Sequence, residues 1–386
     1  MFGICETSLM KSKNFVVGVI GGGQLARMMQ PAAIALGIEL RVFSEAENSS
    51  AKAATTKVGD YNQLNQIQEF ANGLDVLTFD HEHVPEKVLS QLEVDGVKVR
   101  PSSSALIHAQ NKLIMRRELQ RLGLPMPHWK AVSKPSELDD FIAEYGPRVV
   151  VKTPIGGYDG KGVRVVSQPS EVGDWFSEIE SFGGELLVEE KINFTRELAI
   201  LSARNPSGEF RTWPLVQTTQ VNGVCAEVIA PAPGNPDVKL ANEIARTVSE
   251  SLGVIGVLAV EMFETQDGKL FINELAMRPH NSGHFSIEGS KTSQFEQHLR
   301  AVLDLPLGET ALQNNFAVML NLLGVDHSNT FVERYKSVMG KVPNTKFHSY
   351  EKDARPGRKM GHLTITGNDL EEILREIRLA HELMTK

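Results

Sequence analysis

The most informative stretch of the sequence is residues 149–163, VVVKTPIGGYDGKGV, in which a lysine ends an apolar strand and a glycine-rich loop follows. Glycine makes a backbone mobile, so its amides can fold over phosphates, while Lys152 and Lys161 supply positive charge. The segment lacks the Gly-Lys-Ser/Thr ending and the following helix of a Walker loop. It therefore predicts a mobile lid over phosphates, and a glycine-rich hairpin with an incidental lysine is the alternative.

A hairpin further along, residues 257–275, carries Glu261 on one strand and Asn273 and Glu274 on the other. Both acids stand among Val, Phe, Ile and Leu, and unpaired buried carboxylates are costly, so the pair requires a cation. Hard oxygen ligands suit Mg²⁺, which would bridge ATP phosphates during phosphoryl transfer. The alternative is two partly exposed acids, each held by an Arg or Lys.

Two polar loops follow this hairpin. The first, residues 277–284, reads MRPHNSGH. Its Arg278 can stabilise an anionic intermediate, and Asn281 and Ser282 can orient a small substrate. The second, residues 351–362, reads EKDARPGRKMGH and forms a cationic turn that can grip a sugar phosphate. A solvated basic loop is the alternative for the second segment.

An apolar strand at residues 186–192, LLVEEKI, ends in the adjacent carboxylates Glu189 and Glu190. Glu197 follows shortly after. Ionised carboxylates act only as acceptors, so these groups can hydrogen-bond an adenine amino group and ribose hydroxyls. A solvated strand edge explains the same residues equally well.

The beginning of the chain reads as strand, turn and helix, with a valine-rich run at 14–20, three glycines, and a helical pattern at 24–36. The pattern continues with a strand at 40–43, an amphipathic helix at 64–71 and a strand at 76–79. This order predicts a βαβ region with a parallel sheet.

The first turn, Gly21-x-Gly23-x-x-Ala26, fits a dinucleotide fingerprint, and Glu45 lies at a suitable distance for a ribose. The interpretation we prefer is that the turn and Gln24 hold the phosphate of a ribonucleotide substrate. A tight turn without a ligand is the third possibility.

The rest of the chain divides into two further regions. A long helix at 104–122 follows a change of pattern near Pro101, and strands joined by polar turns predict antiparallel hairpins from residue 149 onward. One helix is predicted among them, at 238–252 after the cap Asp237. The tail after Ala317 predicts a strand, the basic segment, a strand at 363–365 and a final amphipathic helix. The predicted domains are an α/β domain at 1–103, a linker helix with a small subdomain at 104–191, and a larger α+β domain at 192–386.

Composition excludes several classes of function. The net charge of −8 argues against nonspecific binding of nucleic acid, which needs clustered cations. The two cysteines, Cys5 and Cys225, have neither disulfide nor zinc-ligand spacing. No signal peptide or membrane span is expected, so the sequence predicts a cytoplasmic protein.

The order of these motifs resembles the ATP-grasp superfamily across nearly everything from Val16 to Ile365. The resemblance is carried by GGGQLARM, KTPIGGYDGKG, INELAMRPHNSGH and RPGRKMGHLTIT. Within the superfamily it is closest to the family that carboxylates 5-aminoimidazole ribonucleotide to N5-carboxyaminoimidazole ribonucleotide in purine biosynthesis. It implies ATP held between two antiparallel sheets under a mobile subdomain, and a homodimer.

The same resemblance implies roles for individual residues. Glu261 and Glu274 would hold Mg²⁺, or Mn²⁺ in its place. Arg278, Lys161, Asn281 and Lys359 would be catalytic. ATP would contact Lys112, Lys152, Gly157, Tyr158, Asp159, Gly160, Lys161, Gly162, Val163, Glu189, Glu190, Lys191, Ile192, Glu197, Gln220, Asn273 and Glu274. The aminoimidazole ribonucleotide would contact Gln24, Leu25, Tyr158, Asp159, Lys161, Arg278, His280, Asn281, Ser282, Arg358 and Lys359.

The implied chemistry is attack of bicarbonate on the terminal phosphate of ATP, then transfer from carboxyphosphate to the substrate's exocyclic amine. Two positions depart from the family pattern. Residues 79–84, FDHEHV, replace an acid-aromatic-acid-Asn stretch and receive no substrate role, and Gln220 stands where some relatives place a histidine.

Three other functions remain as alternatives. Formate-dependent glycinamide ribonucleotide transformylase shares the early glycine turn but has a different tail. A dinucleotide-dependent oxidoreductase would leave the later motifs unexplained. A noncatalytic nucleotide sensor is disfavoured by the intact Lys152, Glu261, Glu274 and Arg278.

Overall fold

The protein is built around three β-sheets, one parallel and two antiparallel. The structure is a computed structural model that describes residues 14–157, 162–325 and 330–386. Within these ranges no helix combines the length and apolar character needed to cross a bilayer. The mixed α/β fold class predicted from the sequence is confirmed.

The N-terminal unit is a four-stranded parallel sheet in the order β3-β2-β1-β4. Its central strand is buried along its whole length because helices cover both faces of a parallel sheet. The βαβ prediction is confirmed. The elements are β1 (Val16–Ile20), α1 (Gln24–Leu36), β2 (Glu39–Ser44), β3 (Thr55–Val58), α2 (Leu64–Ala71), β4 (Val76–Phe79) and α3 (Glu86–Val94).

Two short helices, α4 (Ser103–Gln110) and α5 (Lys112–Arg121), connect this unit to the rest of the chain. The prediction of one continuous helix at 104–122 is wrong. Asn111 has extended dihedral angles, and its side chain accepts hydrogen bonds from the amides of Leu113 and Ile114. A side chain that caps the next helix interrupts the first one, and it makes Lys112 the first residue of α5.

The small antiparallel sheet has the order β5-β8-β6-β7 and carries the glycine loop between its last two strands in space. Lys152 ends β6 opposite Val163 on one side and Leu187 on the other. The elements are β5 (Trp129–Val132), α6 (Pro135–Tyr145), β6 (Val149–Lys152), β7 (Val163–Val166), α7 (Gly173–Ser177) and β8 (Leu186–Glu190).

The large sheet has nine strands in the order β14-β13-β9-β11-β12-β15-β17-β16, with β10 paired to β9. Its pairs are antiparallel, as the polar turns predict. The first half comprises β9 (Phe194–Arg204), β10 (Phe210–Thr212), β11 (Val216–Val221), β12 (Val224–Ala230), α8 (Val238–Ser251), β13 (Gly256–Thr265) and β14 (Leu270–Ala276). The second half comprises α9 (Ser286–Gly289), α10 (Gln294–Val302), β15 (Phe316–Leu323), α11 (Thr330–Lys341), β16 (Lys346–Ser349), β17 (Lys359–Gly367) and α12 (Leu370–Thr385).

The helix predicted at 238–252 is confirmed as α8, and the Asp237 side chain accepts from the amide of Leu240. The sequence did not predict α10 or α11. Helix α10 buries polar side chains such as Gln294 and His298 together with its apolar ones, which dilutes the helical pattern in the sequence.

His298 of α10 joins the parallel sheet to the large sheet. Its Nε2 lies 2.8 Å from the Thr78 hydroxyl, and its Nδ1 accepts from the amide of Val257 at 3.1 Å. Burial lowers the pKa of His298 to about 3, so the ring is neutral. Because Nδ1 is the acceptor, Nε2 carries the proton and donates to Thr78. This contact helps to fix the two units against each other beside the cleft.

Candidate active site

The two predicted metal ligands face each other across the β13–β14 hairpin. Glu261 pairs with Glu274, but the next pair is Met262 with Ile272, so Asn273 is an extra residue that forms a β-bulge. A bulge redirects the side chains beside it. Here it brings Asn273 and Glu274 to the same cleft.

Glu261 lies in a crowded group of acids. Burial, together with the charges of Glu274 and Glu197, raises the pKa of Glu261 to about 7, although Lys359 and Arg278 act in the opposite direction. His280 Nε2 lies 3.5 Å from Glu261 Oε1. Burial holds the pKa of His280 well below its ordinary value, and the charges of Arg278 and Lys359 lower it as well. The His280 ring is therefore neutral and supplies no charge.

This crowding fits a divalent cation. Lys112 lies near Glu274, with Nζ 3.6 Å from Oε1. Among the residues that the structure describes, no group of three or more His, Cys, Asp or Glu side chains forms a metal cage. Two carboxylates that leave room for water and phosphate oxygens are the arrangement in which proteins hold Mg²⁺.

Glu189 of β8 lies nearby, but its neighbours are cations rather than acids. Its carboxylate accepts from Arg116 Nε and pairs with Lys152 Nζ at 2.7 Å. Although burial alone would raise its pKa, these two cations lower the pKa of Glu189 to about 2. Lys152 also donates to Asn273 Oδ1 at 3.0 Å, and Arg116 donates to the Asn273 carbonyl at 2.7 Å. The small sheet, α5 and the hairpin therefore meet at this one ion-pair network.

The predicted ATP-contact residues that follow Glu189 in the sequence lie outside this ion-pair network. Glu190 and Ile192 line a cavity of about 490 Å³ together with Phe271 and the β13–β14 turn. Lys191 is exposed. Burial raises the pKa of Glu197, and the backbone amide of Gln220 hydrogen-bonds its carboxylate. The predicted contacts of these residues with ATP remain predictions.

The base of the glycine loop lies next to Lys112 and Lys152. The Thr153 amide donates to the Gly162 carbonyl at 2.9 Å, and Lys112 Nζ lies 3.5 Å from the Gly157 carbonyl. Gly162 has φ +72°, and a Cβ there would meet the Thr153 hydroxyl at 2.3 Å, so the turn requires glycine. Val163 begins β7. The predicted site residues Tyr158, Asp159, Gly160 and Lys161 lie outside the described residues.

The loop after β14 is held from both sides. Arg278 Nε donates to Glu82 Oε2 at 2.7 Å. The Ser282 hydroxyl lies 2.9 Å from His280 Nδ1, and the side chain of Gln294 bonds both the amide and the carbonyl of His280. Asn281 exchanges side-chain hydrogen bonds with Asn321. The loop is thus a fixed structure rather than a surface turn.

The N-terminus of α1 argues against the dinucleotide alternative. Asp80 Oδ1 accepts from the Ala26 amide at 2.8 Å, and a Cβ on Gly23 would meet Asp80 Oδ2 at 1.9 Å. The position where a pyrophosphate would bind is therefore occupied by a carboxylate. Burial raises the pKa of Asp80. Glu45 pairs with His81 at 2.9 Å.

The two predicted substrate residues of α1 lie in different places. Gln24 accepts a hydrogen bond from Lys352 Nζ, which brings the C-terminal basic segment to the glycine turn. Leu25 is buried in a hydrophobic core cluster.

The basic segment is attached to the N-terminal unit by ion pairs. Glu351 pairs with Arg27 and Lys52 of the N-terminal unit, both at 3.0 Å. Arg358 Nη1 donates to the Asp353 carbonyl at 3.0 Å. Lys359, the first residue of β17, lowers the pKa of both Glu261 and His280 and so lies near them.

Sequence reasoning gave no site role to Asp80 or Glu82, and it named Lys352 only as part of the basic segment. The signal that could have found the first two is topological, since both follow β4 at its carboxyl end, beside the glycine turn that follows β1. In open parallel sheets this edge is where ligands bind.

Lys152 ends a strand of one antiparallel sheet and bonds Asn273, which lies beside the paired acids Glu261 and Glu274 on another sheet. This arrangement is that of an ATP-grasp enzyme. The ATP-grasp domain model matches residues 117–295, the ribonucleotide synthetase preATP-grasp domain model matches 14–110, and the phosphoribosylaminoimidazole carboxylase C-terminal domain model matches 317–376. The chain belongs to the N5-carboxyaminoimidazole ribonucleotide synthase family.

Bacterial relatives carry that name. The synthase of Mycobacterium tuberculosis is 46% identical over 371 residues, which cover 95% of this chain and 86% of the relative. That of Corynebacterium ammoniagenes is 44% identical over 380 residues, or 96% and 92% of the two chains.

Solved structures agree with these relatives. The Thermus thermophilus synthetase superposes with a TM-score of 0.85 at 34% identity, covering 96% of this chain and 99% of that one. The Aspergillus clavatus synthase, in complex with ADP and 5-aminoimidazole ribonucleotide, superposes with a TM-score of 0.86 at 31% identity, covering 96% and 98%.

Proposed function

We propose that this chain carboxylates the exocyclic amine of 5-aminoimidazole ribonucleotide with ATP and bicarbonate, and releases N5-carboxyaminoimidazole ribonucleotide, ADP and phosphate. The reaction would serve purine biosynthesis. The observation that carries the proposal is the cleft in which Glu261 and Glu274 face each other with cations on both sides, in a chain that matches enzymes of this name along 95% of its length.

In the first step an oxygen of bicarbonate attacks the terminal phosphorus of ATP, the bond to the bridging oxygen breaks, and ADP leaves. Lys112 and Lys152 supply positive charge for the phosphates. Glu261 and Glu274 would hold Mg²⁺, which would neutralise phosphate charge. The crowding that raises the pKa of Glu261 supports this assignment.

In the second step the amine attacks the carboxyl carbon of carboxyphosphate or the carbon dioxide that it releases, phosphate leaves, and the amine loses a proton. Arg278 and Lys359, whose charges act on Glu261, stabilise the anionic intermediate. Asn281 and Lys161 complete the catalytic group. The loop at 157–163 excludes water, which would hydrolyse the intermediate.

The ribonucleotide binds between the N-terminal unit and the basic segment. Its phosphate is held by Gln24 and by Arg358 and Lys359, and its ring by the loop after β14. The contact between Lys352 and Gln24 supports this location, because it joins the glycine turn to the basic segment. We further propose a homodimer that works in the cytoplasm, and sedimentation of the chain at two concentrations would test the dimer.

The experiment that tests the function measures ADP release with two substrate pairs, bicarbonate plus aminoimidazole ribonucleotide and formate plus glycinamide ribonucleotide. We expect turnover with the first pair and background release with the second. Turnover with formate and not with bicarbonate would overturn the proposal in favour of the transformylase. Omission of Mg²⁺ should abolish ADP release, and replacement by Mn²⁺ should restore part of it.

A further inference from the structure

Glu82 is a partly buried acid for which the chemistry above has no use. It lies in the turn after β4, in the N-terminal unit, and its side chain is 14% exposed. Its Oε2 accepts from Arg278 Nε at 2.7 Å, and its Oε1 accepts from the Met277 amide at 3.2 Å. One carboxylate therefore holds both the side chain and the main chain of the loop after β14.

The turn that carries Glu82 is itself fixed. Gln110, the last residue of α4, donates through Nε2 to the carbonyls of Glu82 and Val84, at 3.0 and 2.8 Å. Val84 is fully buried in the hydrophobic core. Since main chain and side chain are both restrained, Glu82 is a rigid acceptor rather than a mobile surface acid.

This acceptor determines the direction of the Arg278 guanidinium. Nε is bound to Glu82 and Nη1 donates to the Pro279 carbonyl at 3.2 Å. Because the guanidinium is a planar fork, two bound nitrogens fix the direction of the third. Although burial would lower it, Glu82 raises the pKa of Arg278, so the group stays charged.

We propose that Glu82 is a positioning residue that aims the Arg278 guanidinium at the anion formed in the cleft. It thereby couples the N-terminal unit to the catalytic loop, 196 positions away in the sequence. The inference rests on the proposed function, because the effect of Glu82 is measured in that reaction. Misplacement of a catalytic group by about 1 Å is enough to cost roughly 10²-fold in rate.

The test compares Glu82→Ala with Glu82→Gln in steady-state kinetics of ADP release. Glu82→Ala should lower kcat about 10²-fold and leave KM for ATP within about twofold, because the ATP lysines are untouched. Glu82→Gln should recover most of the lost kcat, since its amide oxygen can still accept from Nε. An equal fall in kcat for both variants, or full activity of Glu82→Ala, would overturn the proposal.

Glu93 offers a matched control. Like Glu82, it accepts one backbone and one side-chain hydrogen bond, from the Ser103 amide at 2.9 Å and the Ser103 hydroxyl at 2.5 Å, and it lies in the same N-terminal unit. Glu93→Gln should leave kcat unchanged. If Glu93→Gln lowered kcat as much as Glu82→Ala does, the effect would be general loosening of the unit, and the inference would fail.

A double variant separates positioning from an independent contribution. If Glu82 acts through Arg278, then Glu82→Ala/Arg278→Ala should be no slower than Arg278→Ala alone, within about threefold. Multiplication of the two single effects would contradict the inference.

Chemical rescue keeps the idea testable if Glu82→Ala does not fold. Guanidinium ion added to Arg278→Ala should restore part of the turnover. In Glu82→Gln/Arg278→Ala the turnover restored by guanidinium should be at least about tenfold lower, because the free cation is held by its ion pair with Glu82. Equal rescue of both would overturn the inference. An inactive wild-type chain with bicarbonate and aminoimidazole ribonucleotide would instead be a failure of the proposed function.

Discussion

Glu189 and Glu261 are glutamates of the same cleft, placed on opposite sheets, and their electrostatic environments are opposite. Glu189 is bound by Arg116 and Lys152, and its pKa falls to about 2 although it is buried. Glu261 is buried near the acids Glu274 and Glu197, and its pKa rises to about 7. The bulge at Asn273 lies between them and contacts the Glu189 network.

The difference separates a group that stabilises the fold from a group that awaits a ligand. The charge of Glu189 is neutralised within the protein, so its removal leaves two cations unpaired. The described residues neutralise the charge of Glu261 less completely than that of Glu189. Neutralisation of Glu261 therefore requires a cation from solution. The predictions below test whether this division holds.

The largest effect is expected for Glu274→Gln. Loss of one of the two facing carboxylates should lower kcat by about 10³-fold or more, since metal neutralisation of phosphate charge contributes several kcal/mol to the transition state. Folding should be retained, because one of two crowded charges is removed. ADP release and the thermal melting temperature measure the two effects. A variant with near wild-type turnover would contradict the metal assignment.

The second effect is on stability. Glu189→Gln should destabilise the folded protein by about 3–5 kcal/mol, because Arg116 and Lys152 would remain buried without their anion. Urea unfolding measures this loss. Glu118→Gln, which removes a surface partner of Arg121 on α5, should change the unfolding free energy little and serves as the control. If the two variants were equally stable, Glu189 would not be the structural acid of the pair.

The third effect is a pH dependence of metal binding. The pKa of Glu261 is raised from 4.5 to about 7, so this group favours the folded state fully below pH 4.5 and loses that contribution as the pH approaches 7. Mg²⁺ must displace its proton. The stabilisation by Mg²⁺ with ADP should therefore grow between pH 5 and 7, by up to about tenfold in apparent affinity per unit, and level off above.

Thermal melting at a series of pH values, with and without Mg²⁺ and ADP, measures this dependence. Glu261→Gln should lack it. Glu189 has the opposite sign, because its pKa is lowered from 4.5 to about 2, so its stabilisation is present above pH 4.5 and is lost as the pH falls towards 2. Metal-induced stabilisation that is independent of pH in the wild type would count against the comparison.

The smallest effect is expected for Asn273→Ala. The change removes one hydrogen bond to Lys152, which keeps its ion pair with Glu189, so the unfolding free energy should fall by about 1 kcal/mol. Turnover should fall by less than about tenfold. Asn242→Ala, on α8, is the control and should affect neither. A loss of turnover as large as that of Glu274→Gln would place Asn273 with the metal ligands instead.

Much of the fold was predictable because its signals are local. The strand β4, the helices α1 and α2, and the capped helix α8 follow from apolar periodicity and from single capping residues. The break at Asn111 was not predicted, because a side chain that caps the next helix competes with a continuous apolar pattern. Helix α10 was not predicted, because tertiary packing buries its polar residues.

The sequence by itself determined the class of the protein and the residue types of its site. A glycine loop after a lysine, and acids inside apolar strands, have a chemical meaning that does not depend on their neighbours in space. The tertiary structure alone decided which of those groups are partners. Arg278 meets Glu82, Glu189 meets Arg116, and Glu261 meets other acids. The reason is physical, since charge interactions and burial depend on distances in space, and chain folding brings together residues that the sequence keeps far apart.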